Sequence, residues 1–200
     1  FGLQGPEQAD WTRRLETEYD NMRAAIAFAL GGTGDPIVAG KMEVALMGFR
    51  ILRGYATEGR SNVHDALALP AIKGSDLACA HLLYVGAALA SSQSDDREAE
   101  RMLKSCLELR RGINNPVDIA ATLSTLAVVR LHLGDAVRAR EGEEEALAIF
   151  RQQGCRNEEA IVLLQIGEIC LHNGNGEEAR RYLEQSLAIA RDVKYHETES

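Results

Sequence analysis

Residues 123–150 read LSTLAVVRLHLGDAVRAREGEEEALAIF, and the spacing of small and apolar residues in this stretch recurs forty residues before it and forty residues after it. Ala127, Gly134, Ala139, Ala146 and Leu147 align with Gly167, Gly174, Ala179, Ser186 and Leu187 downstream, and with Ala87, Ser94, Ala99, Cys106 and Leu107 upstream. A fainter fourth copy places Met47, Gly54, Gly59, Ala66 and Leu67 in the same columns. A fixed period of this length is the mark of stacked units, each leaving an apolar face uncovered until a neighbour packs against it.

Working outward, the punctuation around each copy predicts helices. Asp35-Pro36 and Asn115-Pro116 each supply an N-cap followed by proline in the first turn, where its missing N–H costs nothing. Asp95 with Glu98, and Asn175 with Glu178, carry the spacing of a capping box. Between these signals the apolar residues follow helical spacing, as in Trp11, Leu15, Tyr19, Met22, Ile26 and Ala29 of the first segment. The predicted helices run over about 8–30, 35–52, 57–69, 76–91, 95–111, 116–133, 135–152, 157–172 and 175–192. Their short connections force successive helices antiparallel, so each forty-residue unit is a helical hairpin. The predicted organisation is an N-terminal capping helix over 1–34, then repeats at about 41–80, 81–120, 121–160 and 161–200.

Composition agrees. Hydrophobic residues make up 46% of the 200, but aromatics only 5%; a core rich in alanine and leucine suits close-packed helices better than strands. The formal charge of −8 argues against direct binding of nucleic acid or an anionic membrane, both of which need a basic patch. The pairs Arg13-Arg14, Arg110-Arg111 and Arg180-Arg181 stand beside acidic residues and are expected on solvated, salt-bridged faces. No apolar run approaches the ~20 residues of a membrane span. The four cysteines, at 79, 106, 155 and 170, have no metal-ligand spacing. They are expected to be reduced, which fits a cytoplasmic protein, and no cofactor is implied.

The repeat columns resemble the tetratricopeptide repeat. The motif's leading apolar pair corresponds to Leu123 and Leu126, its small residue to Ala127, its turn glycine to Gly134 and its two alanines to Ala139 and Ala146. The motif's aromatics are replaced by Arg130 and Cys170 in the first helix and by Glu143 and Leu183 in the second, and forty residues exceeds the commoner thirty-four. The resemblance implies an all-α, right-handed α-solenoid with lengthened helices, as in kinesin light chain and some bacterial regulators. Residues 5–30, GPEQADWTRRLETEYDNMRAAIAFAL, together with RGYATEGR at 53–60, also resemble the segment that follows the nucleotide-binding module in bacterial signal-transduction ATPases. These are large regulators related to the maltose-regulon and antibiotic-regulatory activators, some carrying a LuxR-type DNA-binding domain. In them Trp11, Leu15, Glu18, Asp20-Asn21 and Arg23-Ala24-Ala25 would belong to the helix joining the ATPase to its repeat arm. The resemblance implies a sensing or protein-interaction arm, part of a longer regulator.

No G-x-x-x-x-G-K-[S/T] pattern occurs, and Gly31-Gly32-Thr33-Gly34 reads as a turn. Among His64, His81, His132, His172 and His196, the pair His132 and His172 occupies equivalent columns of successive hairpins and could hold a ligand or metal, but no second ligand cluster accompanies it, and polar residues beside the turn are the favoured reading. The acidic run Glu141, Glu143, Glu144 and Glu145 reads as surface. Three functions therefore compete: a non-catalytic repeat arm, a free-standing peptide receptor or adaptor, and, least favoured, a metal-dependent enzyme centred on the histidines. The repeat resemblance puts the first helix of each hairpin on a concave surface, with His81, Tyr84, Ser124, Val128, His132, Leu164, Glu168 and His172 facing a protein, a peptide or a small effector. Leu183 and Leu187, at the end of the array, are expected to favour a homodimer.

Overall fold

The computed structural model describes residues 8–31 and 34–198, with side chains described as far as 193. Among these residues the chain forms ten helices and no strand. A leading helix, α1 (Gln8–Leu30), is followed by four first helices, α2 (Pro36–Arg53), α5 (Asp76–Ser92), α7 (Pro116–His132) and α9 (Arg156–His172). Their partners are α3 (Ala56–Ala68), α6 (Asp96–Ile113), α8 (Ala136–Gln153) and α10 (Gly176–Thr198). Both sets begin at forty-residue intervals. One short helix, α4 (Pro70–Lys73), falls where the sequence predicted only a stop. Pro70 ends α3 by forbidding the helical conformation at Leu69, whose ψ is 137°, and then occupies the first turn of α4, where proline is tolerated. The last helix also extends six residues beyond the expected Asp192.

The caps predicted at Asp35 and Asn115 form, whereas the two capping boxes do not close, since the Asp95 and Asn175 N–H groups donate to the Ala90 and Cys170 carbonyls and the Glu98 and Glu178 carboxylates pair with Arg101 and Arg140. The side chains of Asp35, Ser75, Asn115 and Asp135 each accept a backbone N–H from the first turn of the helix they precede. The turns at 54, 94, 134 and 174 all need a positive φ, of 78°, 61°, 83° and 76°. Glycine fills three of these positions and Ser94 the fourth, where its Cβ bears the steric cost of the left-handed conformation.

The chain divides into two compact units, one up to Leu109 and one from Arg110 onward. In the first, α1 packs on α2 through Tyr19, Ile26 and Ala29. The Tyr19 ring stacks on Tyr55 at 4.6 Å between centroids and lies tilted against Phe49 at 5.2 Å. Trp11 departs from the predicted stripe: it is 40% exposed, with the Arg14 guanidinium 5.2 Å above its ring. Beneath the aromatic cluster lies a wholly buried ion pair. Arg50 Nη2 donates to Glu43 Oε1 at 2.9 Å, Asn62 donates to the same oxygen at 2.8 Å, and Arg50 Nη1 comes within 3.9 Å of Glu58. Burial pushes the Glu43 carboxyl above its ordinary range, and Arg50 draws it part of the way back. Glycines mark where helices approach most closely. A Cβ on Gly59 would stand 2.8 Å from both Arg50 Cδ and Leu89 Cδ1.

In the second unit α7, α8, α9 and α10 pack in sequence around Ala127, Ala139 and Ile169. A Cβ on Gly167 would come within 2.9 Å of Leu183, which explains the small residue in that column. Glu159 clamps the turn between α8 and α9, accepting from Arg151 at 2.8 Å and Arg156 at 2.7 Å. Two sequence expectations fail here. Arg110 is not on a solvated face but buried, donating to the Asp118 carbonyl at 2.9 Å and to Thr122 Oγ1 at 2.7 Å. Glu143 is not surface either; it is fully buried.

The second helices of this unit also differ from one another. Gly142, Glu143, Ala146, Leu147 and Phe150 are buried in α8, where α9 packs; the matching residues of α10, Tyr182, Leu183, Ser186, Leu187 and Ala190, are all at least partly open. Leu147 is 6% exposed and Leu187 50%.

Candidate partner-binding face and apolar cleft

The eight expected contact residues fall on first helices: His81 and Tyr84 on α5, Ser124, Val128 and His132 on α7, and Leu164, Glu168 and His172 on α9. Within the second unit the α9 residues are open. Leu164 is 43% exposed, and Ile161 at 56% and Leu171 at 54%, which sequence reading did not select, lie on the same side. Residues 161, 164, 168 and 171 are spaced three, four and three apart, so they form one stripe along α9, apolar except for Glu168. The opposite side of the helix buries Val162, Leu163, Ile166 and Ile169. Val128 is half-buried on α7, and His132 and His172 are exposed at the ends of α7 and α9.

Ser124 does not offer a free hydroxyl to a ligand. It is 9% exposed, lying 2.9 Å from Gln165 Oε1 on α9 and 3.3 Å from Glu143 Oε1 on α8. Burial pushes the Glu143 carboxyl from 4.5 up to about 8, with the Ser124 contact pulling weakly the other way. The Ser124 hydroxyl is the donor in both contacts, shared between Gln165 Oε1, which is nearer, and Glu143 Oε1. The other carboxyl oxygen, Oε2, has no hydrogen-bond partner. Three helices are thus pinned by a polar relay inside an apolar setting.

In the first unit His81 lines a cleft of about 270 Å³ between α2 and α5. Ile37 and Val44 form one apolar wall and Leu77 and Ala78 the other, with Gly40 between them. Lys41, Ser75 and His81 contribute the polar groups. Tyr84, one turn beyond His81, is half-buried.

Among the described residues no group of three His, Cys, Asp or Glu is placed to hold a metal ion. Cys79, Cys106, Cys155 and Cys170 are free thiols, and Cys106 is buried with its Sγ donating to the Ala80 carbonyl at 3.2 Å. His196 lies outside the residues whose side chains are described. No described helix is long and apolar enough to cross a membrane.

Comparison with known proteins agrees with the fold. Residues 118–192 match the family described as Tetratricopeptide repeat. No curated protein sequence matches the chain. Among solved structures, BtubC (BKLC) from P. vanneervenii superposes with a TM-score of 0.77 at 18% identity, covering 94% of this chain and 79% of that one. The signal-transduction ATPase with a tetratricopeptide repeat sensor, PH0952 from Pyrococcus horikoshii, gives 0.72 at 16% identity, over 94% of this chain and 32% of that one. A Rap protein complexed with competence and sporulation factor gives 0.68 at 18% identity, over 90% and 53%. At such identities the likeness concerns the fold, an all-helical tetratricopeptide-like architecture.

Proposed function

We propose that the chain is a non-catalytic interaction arm that binds a protein or peptide through the exposed sides of α7 and α9, and that it serves a larger signal-transduction regulator. The observation that carries this reading is the open stripe Ile161, Leu164, Glu168 and Leu171 on a helix whose other side is fully packed. Exposed apolar residues interrupted by a single charge provide burial for a partner and one group to fix its register. Val128 and the two imidazoles at His132 and His172 extend the same contact set, while Ser124 supports it from beneath. Membership of a regulator is supported by the likeness of the fold to the repeat sensor of PH0952 and by the sequence resemblance of residues 5–30 to the linker of such ATPases. Such binding would bias a regulator only to the extent that the partner prefers one of its states.

A displayed peptide library selected on the immobilised chain tests the proposal. Peptides that bind should lose affinity about tenfold or more with Leu164→Asp, the scale of one buried anchor. They should be indifferent to Glu145→Ala on α8. Selected peptides whose contacts map to α8 and α10, with Leu164→Asp binding normally, would refute it.

A further inference from the structure

From the chemistry lining the cleft between α2 and α5 we infer that it is a binding site for a small aliphatic carboxylate. This is independent of the partner face on α7 and α9. The walls supplied by Ile37, Val44 and Leu77 are apolar, and Val44 and Leu77 remain 40% and 50% exposed, so an aliphatic chain entering there would cover surface that the fold leaves wet. The polar groups at the same place are all able to donate. Among the described residues Lys41 makes no ion pair and the His81 ring no hydrogen bond, and the Ser75 hydroxyl accepts from Ala78 N–H at 3.3 Å, leaving its own proton available. No acidic residue lines the cleft. In a chain of net charge −8, three donors and no acid around one apolar slot form a local exception to the overall sign. An apolar tail with a single anionic end matches both halves of that lining. The volume of about 270 Å³ lies just below the range usual for ligand pockets, which favours a molecule about the size of one side chain.

The probe is 4-methylpentanoate, titrated into the chain by calorimetry and by amide chemical shifts, beside the matching alcohol, 4-methylpentanol, and the matching amine. Non-specific adsorption to an acidic protein would rank the amine first and the acid last. The inference requires the opposite order: the acid should bind about tenfold more tightly than the alcohol, the worth of one charge-assisted hydrogen bond. Lys41→Gln should abolish that preference while leaving the alcohol's affinity unchanged, and Lys41→Arg should restore it. Lys41 is exposed, so neither variant should disturb folding. Equal affinity for acid and alcohol, a preference that survives Lys41→Gln, or no saturable binding up to the ligand's solubility would each overturn the inference. A peptide ending in leucine with a free carboxylate provides a further arm. If it binds here and the free acid does not, the small-ligand assignment falls while peptide recognition by this chain stands.

Discussion

Replacing Glu143 by glutamine should stabilise the protein, and the gain should grow with pH. In the native structure burial holds the carboxyl neutral until about pH 8, whereas in the unfolded chain it ionises near the ordinary 4.5. Between those values the folded state binds a proton that the unfolded state has released, so wild-type stability falls as pH rises across that window and is level above it. A rise from 4.5 to about 8, at about 1.4 kcal/mol per pH unit, amounts to up to about 5 kcal/mol, of which about 3 kcal/mol is already spent at pH 7. Glutamine is neutral at every pH, has nearly the same shape and keeps an amide oxygen to accept from Ser124 Oγ, so it should escape the loss. Urea unfolding of both proteins at steps from about pH 5 to about pH 9 measures the difference directly. The two should lie close together near pH 5 and separate by about 3–5 kcal/mol by pH 8. A gap independent of pH, or a variant less stable than wild type at pH 8, would show that Glu143 is ionised in the native state and that the relay through Ser124 to Gln165 is wrongly drawn.

Five other substitutions follow from the packing. Ser94→Gly should raise stability by up to about 1 kcal/mol by relieving the left-handed conformation at φ 61°, seen as a higher melting temperature. Gly40→Ala and Gly59→Ala should move in opposite directions. The first meets nothing nearer than 3.6 Å and gains about 0.5–1 kcal/mol of helix propensity; the second strikes two buried side chains and should cost about 1–3 kcal/mol in urea unfolding. Arg50→Ala should destabilise by about 3–5 kcal/mol, because it strands the buried Glu43 carboxyl. If the open side of α10 mediates self-association, Leu187→Glu should shift sedimentation toward monomer at high concentration; an unchanged distribution would exclude that side.

Most of the helical framework was legible because its signals are local. Asp35-Pro36, Asn115-Pro116 and the turn residues at 54, 134 and 174 fix helix starts and ends through the backbone alone. The buried charges were not read, because a charged residue within a helical stretch is by default assigned to water. A further signal was available in the columns. Glu43 stands where Leu83, Leu123 and Leu163 recur, Glu143 where Leu103 and Leu183 recur, and Arg110 in the column of Phe150 and Ala190. Each is a charge in an apolar column, and each is buried against a named partner. The candidate site was legible only as far as helix identity. That Leu164 is open while Ser124 is covered depends on how α7, α8 and α9 meet, and the missed residues Ile161 and Leu171 belong to the same stripe as Leu164 and Glu168. The cleft needed the structure, since α2 and α5 are separated by another hairpin arm and by α4.

The contrast between α8 and α10 bears on the order in which the second unit comes apart. In a stack stabilised by nearest neighbours, an internal hairpin is held from both sides and a hairpin with one uncovered face from only one. With Leu147 sealed and Leu187 half in water, α10 should fray before α8 does, so amide exchange should be faster along α10 than at the equivalent positions forty residues earlier. A ligand gripping the stripe on α9 would then act at a distance from its own contacts: by stiffening the helix against which α10 rests, it would slow the opening of a segment it never touches.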